Sequence, residues 1–321
     1  MARILTVTLN PALDLSIRID ALRPGEVNRT EGTRLDAAGK GINVARVLAG
    51  LGHDVTVSGL LGADNETAFV RAFNECGLHD AFLRVPGETR INVKVSERDG
   101  RVTDLNGPGP RIPPGTMESL TEKLWSLLPS IDAVVISGSL PPNLMPARLA
   151  ELITGIRERR VPVWLDASGP ALVCGLAARP SAAKPNETEL ADWAGQPLET
   201  TIARLRAALR LNAEGVEDVL LSMGAEGVIW AQRGSALLAT PPKVRVVSTV
   251  GAGDTLLAAT LHGVVSGWPR ERNLRFATAL SAECVRHVGV GDPNAEDFGT
   301  LLQQTLVQSL AVEPSPEESP R

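Results

Sequence analysis

Residues 248–256 read STVGAGDTL, and two chemically opposed features meet there. Glycines lead into an apolar run with helical spacing. Gly251, Ala252 and Gly253 would therefore present unpaired backbone N–H groups at a helix start that attracts anions. Asp254 follows at once, itself an anion. A plain electrostatic account exists, because the helix dipole favours carboxylates in the first turn. Phosphoryl transfer accounts for the pairing: the amides hold phosphate oxygens while Asp254 takes the proton of an attacking alcohol. The helix end should keep the pKa of Asp254 low and the group ionised.

Five other stretches offer chemistry. In KPNETEL, from Lys184 to Leu190, Asn186 and Glu189 share a helical face and could hold the waters of Mg²⁺. The same pair also suits a helix cap and its capping-box partner, and both readings stand at this point. AAGKGINVA (37–45) places Gly39, Lys40 and Asn43 at a turn into a helix, where a sugar hydroxyl or a phosphate could bind; it lacks the ending of a Walker A loop. SMGAEG (222–227) is either a nucleotide loop or a tight hairpin turn. SGSLPP (137–142) leaves a buried strand at the end where ligands bind. In RINVKV (90–95), alternation puts Arg90, Asn92 and Lys94 on one face, as a lid over a ligand or as a solvated edge strand. An arginine there could grip phosphate through a bidentate fork.

These residues need a scaffold, and the sequence describes one. Strand patterns at Ile4–Leu9, Val55–Leu61, Ala133–Ser137, Val163–Asp166, Val219–Ser222 and Gly227–Ala231 are separated largely by helical ones. The helical patterns include Gly41–Leu51, Asn65–Cys76 and Pro146–Arg159, then roughly Ala252–Ser266, Glu271–His287 and Glu296–Gln308. Such alternation predicts an α/β fold, a doubly wound, mostly parallel sheet with helices on both faces. Segments 14–34 and 90–106 alternate polar and apolar residues and should form a small β-sheet lid. The Pro-, Glu- and Ser-rich tail 312–321 should be disordered.

Composition narrows the partners. A net charge of −5 without a basic run, and no tyrosine, argues against nucleic acid and for a small molecule. Cys76, Cys174 and Cys284 are scattered, as are the four histidines, so neither a disulfide framework nor a zinc site is expected. Three buried thiols, an N-terminus without signal-peptide character and no bilayer-length apolar run make a cytoplasmic protein the expectation. An NAD-dependent dehydrogenase would need GxGxxG after the first strand, whereas NPALD follows Leu9.

Taken together, AAGKGINVARVLAGLG, STVGAGDTLLAA, KPNETE and SMGAEG resemble the ribokinase/pfkB family of carbohydrate kinases, over the chain from Arg3 to about Leu306. The resemblance implies a ribokinase-like fold in a single kinase domain, 1–311, using ATP and Mg²⁺. It implies Asp254 as catalytic base, with Gly251, Ala252 and Gly253 as the anion hole. Asp14, Gly39, Lys40, Asn43, Arg90 and Ser139 would contact a sugar phosphate. Lys184, Asn186, Ser222, Gly224 and Gly227 would line the nucleotide site, and Glu189 would organise Mg²⁺. Ser248 stands where many relatives carry Asp, which narrows the subgroup towards kinases of sugar phosphates. TLNPALDLS, TRINVKVSERDGRVTDLN and ISGSLPP are most similar to family members acting on fructose 1-phosphate; those acting on tagatose 6-phosphate or fructose 6-phosphate are the alternatives. A silent sugar-phosphate sensor would be expected to lose Asp254 or its glycines, and this chain keeps them. In relatives the lid can pair two subunits, so a homodimer through the lid strands is implied.

Overall fold

The computed structural model of the protein describes residues 1–312. From β1 (Arg3–Thr8) the chain makes an excursion through β2 (Ala12–Ile19) and β3 (Gly32–Ala38), then returns in α1 (Lys40–Gly50) and β4 (Asp54–Gly62). Next come α2 (Thr67–Glu75), β5 (His79–Asp80) and β6 (Leu83–Val85), then a second excursion, β7 (Arg90–Glu97) and β8 (Val102–Asn106). Helices and strands then alternate through α3 (Thr116–Leu127), β9 (Ala133–Ser137), α4 (Pro146–Glu158), β10 (Val163–Asp166), α5 (Gly169–Ala177) and β11 (Ala182–Ala183). Helices α6 (Glu187–Ala194) and α7 (Thr201–Ala213) lead to an antiparallel run, β12 (Asp218–Ser222), β13 (Val228–Gln232) and β14 (Ser235–Thr240). The chain closes with α8 (Ala252–Val265), α9 (Arg270–Cys284), α10 (Phe298–Gln304) and β15 (Leu306–Leu310).

The main sheet runs β15-β14-β13-β12-β11-β10-β9-β1-β4-β5, with β6 also on β4. It is parallel from β5 to β12 and antiparallel beyond. Strand periodicity divides the core in two. Val134 and Ile136 of β9 face one layer, with Leu120, Leu149 and Leu172 of α3, α4 and α5. Ala133 and Val135 face the other, with Ile42, Phe73, Leu257 and Leu274 of α1, α2, α8 and α9. Side chains such as Leu149 and Ile42 are fully buried, each worth about 1.5–3 kcal/mol of transfer free energy. Among the described residues no helix is long and apolar enough to cross a membrane.

Strands β3-β2-β7-β8 form a separate four-stranded sheet, in which β2 and β7 run parallel. This is the expected lid, and Asp14 pairs in register with Asn92. Its first arm is two strands: residues 20–31 lie outside any strand and β3 extends to Ala38, beyond the expected end near 34.

Two expectations need correction. The last helix ends at Gln304 rather than Gln308, because Thr305 turns extended and Leu306–Leu310 pair with the open edge of β14. Ladder hydrogen bonds available at that edge outweigh a weak helical pattern. Only Cys284 of the three cysteines is buried; Cys76 and Cys174 are half-buried on α2's end and on α5. Val312 packs against the first core layer, while the remainder of the expected disordered tail, 313–321, lies outside the described residues.

At the carboxyl end of the central strands, β1 and β4 approach unusually closely. Gly59 has a positive φ of 132°, and a Cβ there would lie 1.9 Å from the Thr8 carbonyl oxygen. Backbone, not a movable side chain, blocks the space. Gly59→Ala is therefore expected to cost about 3 kcal/mol or more, combining φ strain with overpacking. Urea unfolding monitored by circular dichroism measures this, and an unchanged midpoint would remove the steric argument.

Candidate active site

The parallel strands end along one edge of the main sheet, and loops leaving those ends carry the polar residues. β10 ends on Asp166, whose side chain is wholly buried. A buried carboxylate needs positive partners, and two lysines supply them. Lys40, at the start of α1, donates to it at 3.1 Å, and Lys184, just after β11, lies at 3.3 Å. Burial works to raise the Asp166 pKa, but Lys184 and Lys40 outweigh it and hold the group below the usual carboxylate range. Burial likewise works to lower Lys40, and the Asp166 and Asp254 carboxylates hold it raised.

Helix α8 aims its N-terminus at this cluster. Gly251, the residue before its first turn, has a φ of 84°, and a Cβ would lie 2.6 Å from the Gly289 carbonyl oxygen. Only glycine lets the chain turn there. Gly253 packs against Lys184: a Cβ on it would lie 3.1 Å from the ammonium nitrogen. Asp254 is buried, and Asn43 of α1 donates to its Oδ2 at 2.8 Å. The amides of a helix start and a carboxylate share one small volume, as the spacing of GAGD predicts, and the structure adds a lysine ammonium.

One electrostatic expectation fails. Asp254 is not held low by the helix end; its pKa is pushed up to about 6 by burial and then by the nearby Asp166 charge, against Asn43, Lys40 and Lys184. Desolvation acts on the whole charge, whereas the dipole supplies only part of one. A carboxylate titrating near 6 is a better proton acceptor at neutral pH than an ordinary aspartate.

The lid supplies a second polar cluster. Asp14 accepts from Asn92 at 3.0 Å and from Lys94 at 2.6 Å, so the polar face of β7 closes on β2. Arg90 is differently engaged. Its Nε donates to the Pro11 carbonyl, Nη1 to Gly107 and Nη2 to Asn10 and to Ser139 Oγ, at 2.9–3.3 Å. The fork expected to face a phosphate is thus closed on protein oxygens, and it knots the lid's base to the loop after β9. Asn10 reinforces the knot through Ser139 Oγ and the carbonyls of Pro108 and Leu140.

Beside the α8 N-terminus lies a cavity of 710 Å³, a size suited to a nucleotide. Asn186, Ser222, Gly224 and Gly227 all line it, as do Ala252 and Gly253. Its apolar walls come from Val244, Val246, Leu256 and Val285. SMGAEG is the tight turn of its two alternatives: it joins antiparallel β12 and β13 through the short turn Gly224–Glu226, and that turn walls the cavity. Lys184 stands outside the cavity lining, against Gly253. Asn186 and Glu189 form a complete capping box, Asn186 Oδ1 accepting from the Glu189 amide and Glu189 Oε2 from the Asn186 amide. Among the described residues no cluster of three or more His, Cys, Asp or Glu could hold a metal by itself. Sequence reasoning missed Asp166, Asn10 and the valine walls. Asp166 had a signal, an acid ending the buried strand VWLD; Val244 and Val246 belong to an irregular segment with none, and Val285 caps the end of α9.

This arrangement matches a known family. The pattern of the pfkB family carbohydrate kinases matches residues 7–297, and the chain belongs to that family. It is 45% identical to a 1-phosphofructokinase of Vibrio cholerae over 96% of this chain and 97% of that protein. The phosphofructokinase-2 of Escherichia coli, solved in complex with fructose-6-phosphate, superposes with a TM-score of 0.85 at 25% identity, covering 94% of this chain and 99% of that one. A ribokinase of Thermotoga maritima shares the fold, with a TM-score of 0.75 at 21% identity over 94% of this chain and all of its own. The protein is thus an ATP-using carbohydrate kinase with a ribokinase-like fold.

The raised Asp254 pKa gives a signed expectation. Proton acceptance requires the carboxylate, so kcat/KM should fall as pH drops through about 6. Asp166→Asn removes the neighbouring negative charge and leaves Lys40 and Lys184 freer to favour ionised Asp254, so the acid limb should move to lower pH. The substrate's own phosphate ionisation is common to both profiles and cancels in the comparison. A limb that stays in place would assign it to a group other than Asp254.

Proposed function

We propose that this chain transfers the γ-phosphoryl group of ATP to the 6-hydroxyl of D-fructose 1-phosphate, giving fructose 1,6-bisphosphate and ADP. The observation that carries the reading is Asp254, buried at the first turn of α8 between the Asn43 amide and the Lys184-flanked glycine amides. The name borne by the Vibrio cholerae relative supplies the acceptor. Asp254 takes the hydroxyl proton as that oxygen bonds to the γ-phosphorus; the bond to the bridging oxygen breaks and its electron pair leaves with ADP. The amides of Gly251, Ala252 and Gly253 and the Lys184 ammonium meet the charge on the migrating group. Asp14, Gly39, Lys40 and Asn43 orient the sugar, with Arg90 and Ser139 shaping the end that holds its phosphate.

ATP occupies the cavity walled by Asn186, Ser222, Gly224 and Gly227 in this reading. Glu189 would hold Mg²⁺ beside that cavity, whose lining it does not join; its charge reaches Lys40 and its Oε1 is not engaged by the capping box. When bound, the ion would neutralise phosphate charge while keeping most of its waters, so a single carboxylate suffices.

Coupled ADP-release assays with fructose 1-phosphate, fructose 6-phosphate, tagatose 6-phosphate and free fructose test the assignment. The highest kcat/KM is expected with fructose 1-phosphate. Asp254→Asn should lower kcat by roughly 10²–10⁴-fold with ATP affinity retained, the range for a positioned proton acceptor. Preference for another ketohexose phosphate would overturn the acceptor, and wild-type turnover in Asp254→Asn would overturn the base.

The lid also supports a homodimer. Leu35, Leu15, Val93 and Leu105 stand opposite one another across all four strands on the face away from Asp14 and Asn92. Leu35 and Leu105 are 40% and 59% exposed, an apolar row suited to a second copy of the same sheet. Light scattering should give twice the chain mass, and Leu105→Glu should shift it towards the monomer; a wild-type monomer at micromolar concentration would reject this pairing.

A further inference from the structure

One largely covered arginine outside the reacting groups joins two segments that wall the cavity. Arg204 lies on α7 with a side chain only 12% exposed. Its Nη2 pairs with Glu187 at 2.5 Å and its Nη1 with Glu226 at 2.5 Å, while Nε donates to the Leu198 carbonyl at 3.1 Å. Glu187 is the first residue of α6, next to Asn186. Glu226 sits in the turn Gly224–Glu226, whose neighbours Ala225 and Gly227 line the cavity although Glu226 itself does not. The two segments also meet through the backbone, where the Ser222 amide donates to the Pro185 carbonyl at 3.1 Å.

We propose that Arg204 is a positioning residue for ATP: it never touches the nucleotide, but fixes the SMGAEG turn against the start of α6 so that their backbones wall the cavity. The proposal rests on the reading of that cavity as the ATP site. The chemistry is specific to a guanidinium. Its planar fork presents separate N–H groups to two carboxylates at once, and the Leu198 carbonyl fixes its orientation before either arrives. Lysine, a point charge on a flexible stem, would hold one carboxylate well and both poorly. Without any cation, Glu187 and Glu226 would be left as facing like charges, and the turn would be pushed away from α6.

Steady-state kinetics and calorimetric titration with MgATP test this on the full chain. Arg204→Met should weaken ATP binding about fivefold, the scale of two partly exposed ion pairs, with KM for fructose 1-phosphate moving less than twofold. Arg204→Lys should recover part of the loss. Adding Glu226→Gln to Arg204→Met should recover part of the affinity and leave it below that of Glu226→Gln alone, because it removes the repulsion that the arginine had masked but not the loss of the fork. Glu226 is 63% exposed, so Glu226→Gln alone is a variant that folds if Arg204→Met does not, and it should weaken ATP binding about twofold with the sugar KM unchanged. Unchanged ATP affinity in these variants, or equal losses for both substrates, would overturn the proposal. Wild-type protein that binds no MgATP would instead overturn the nucleotide reading beneath it.

Discussion

A carboxylate with no access to water must be surrounded by positive charge, and Asp166 imposes that condition on everything near it. Lys40 arrives from α1 and Lys184 from the segment after β11, elements far apart in sequence that the same anion draws to one point. Lys40 brings the Gly39–Asn43 turn and Lys184 brings the glycines of α8. Burial and the Asp166 charge, against the two lysines, then raise the pKa of Asp254, whose ionisation becomes poised rather than fixed. Each group is held because the others are, so the cluster behaves as a unit.

The rest of the fold can be read as support for that unit. Parallel strands end together, which places Ser137, Asp166 and Ser222 along one edge, with the loops following them facing the same space. Helix α8 is buried on most sides between the sheet and α9. Its axis cannot drift, and its first turn stays aimed at the lysines. The lid differs in kind. It is held by polar bonds, Asp14 to Asn92 and Lys94 and Arg90 to three carbonyls, rather than by a deep core of its own. Such a sheet can cover a charged ligand on its wet face and leave the apolar row Leu35–Leu15–Val93–Leu105 outside.

Local rules written in consecutive residues were legible in the sequence. The glycines before Asp254, the cap formed by Asn186 and Glu189, the alternation in RINVKV and the βα rhythm all depend on neighbours within a few positions. Those features therefore predicted the fold class, the lid and a carboxylate beside the helix-start amides of α8. Tertiary contact decided the remainder. The edge of β14 turned Leu306–Leu310 from helix to strand, because its open hydrogen bonds come from residues about seventy positions earlier. Burial and Asp166 set the ionisation of Asp254, and the carbonyls of Asn10, Pro11 and Gly107 took up the Arg90 fork. Desolvation and long-range charge depend on what surrounds a group in three dimensions, and no spacing along the chain encodes that directly.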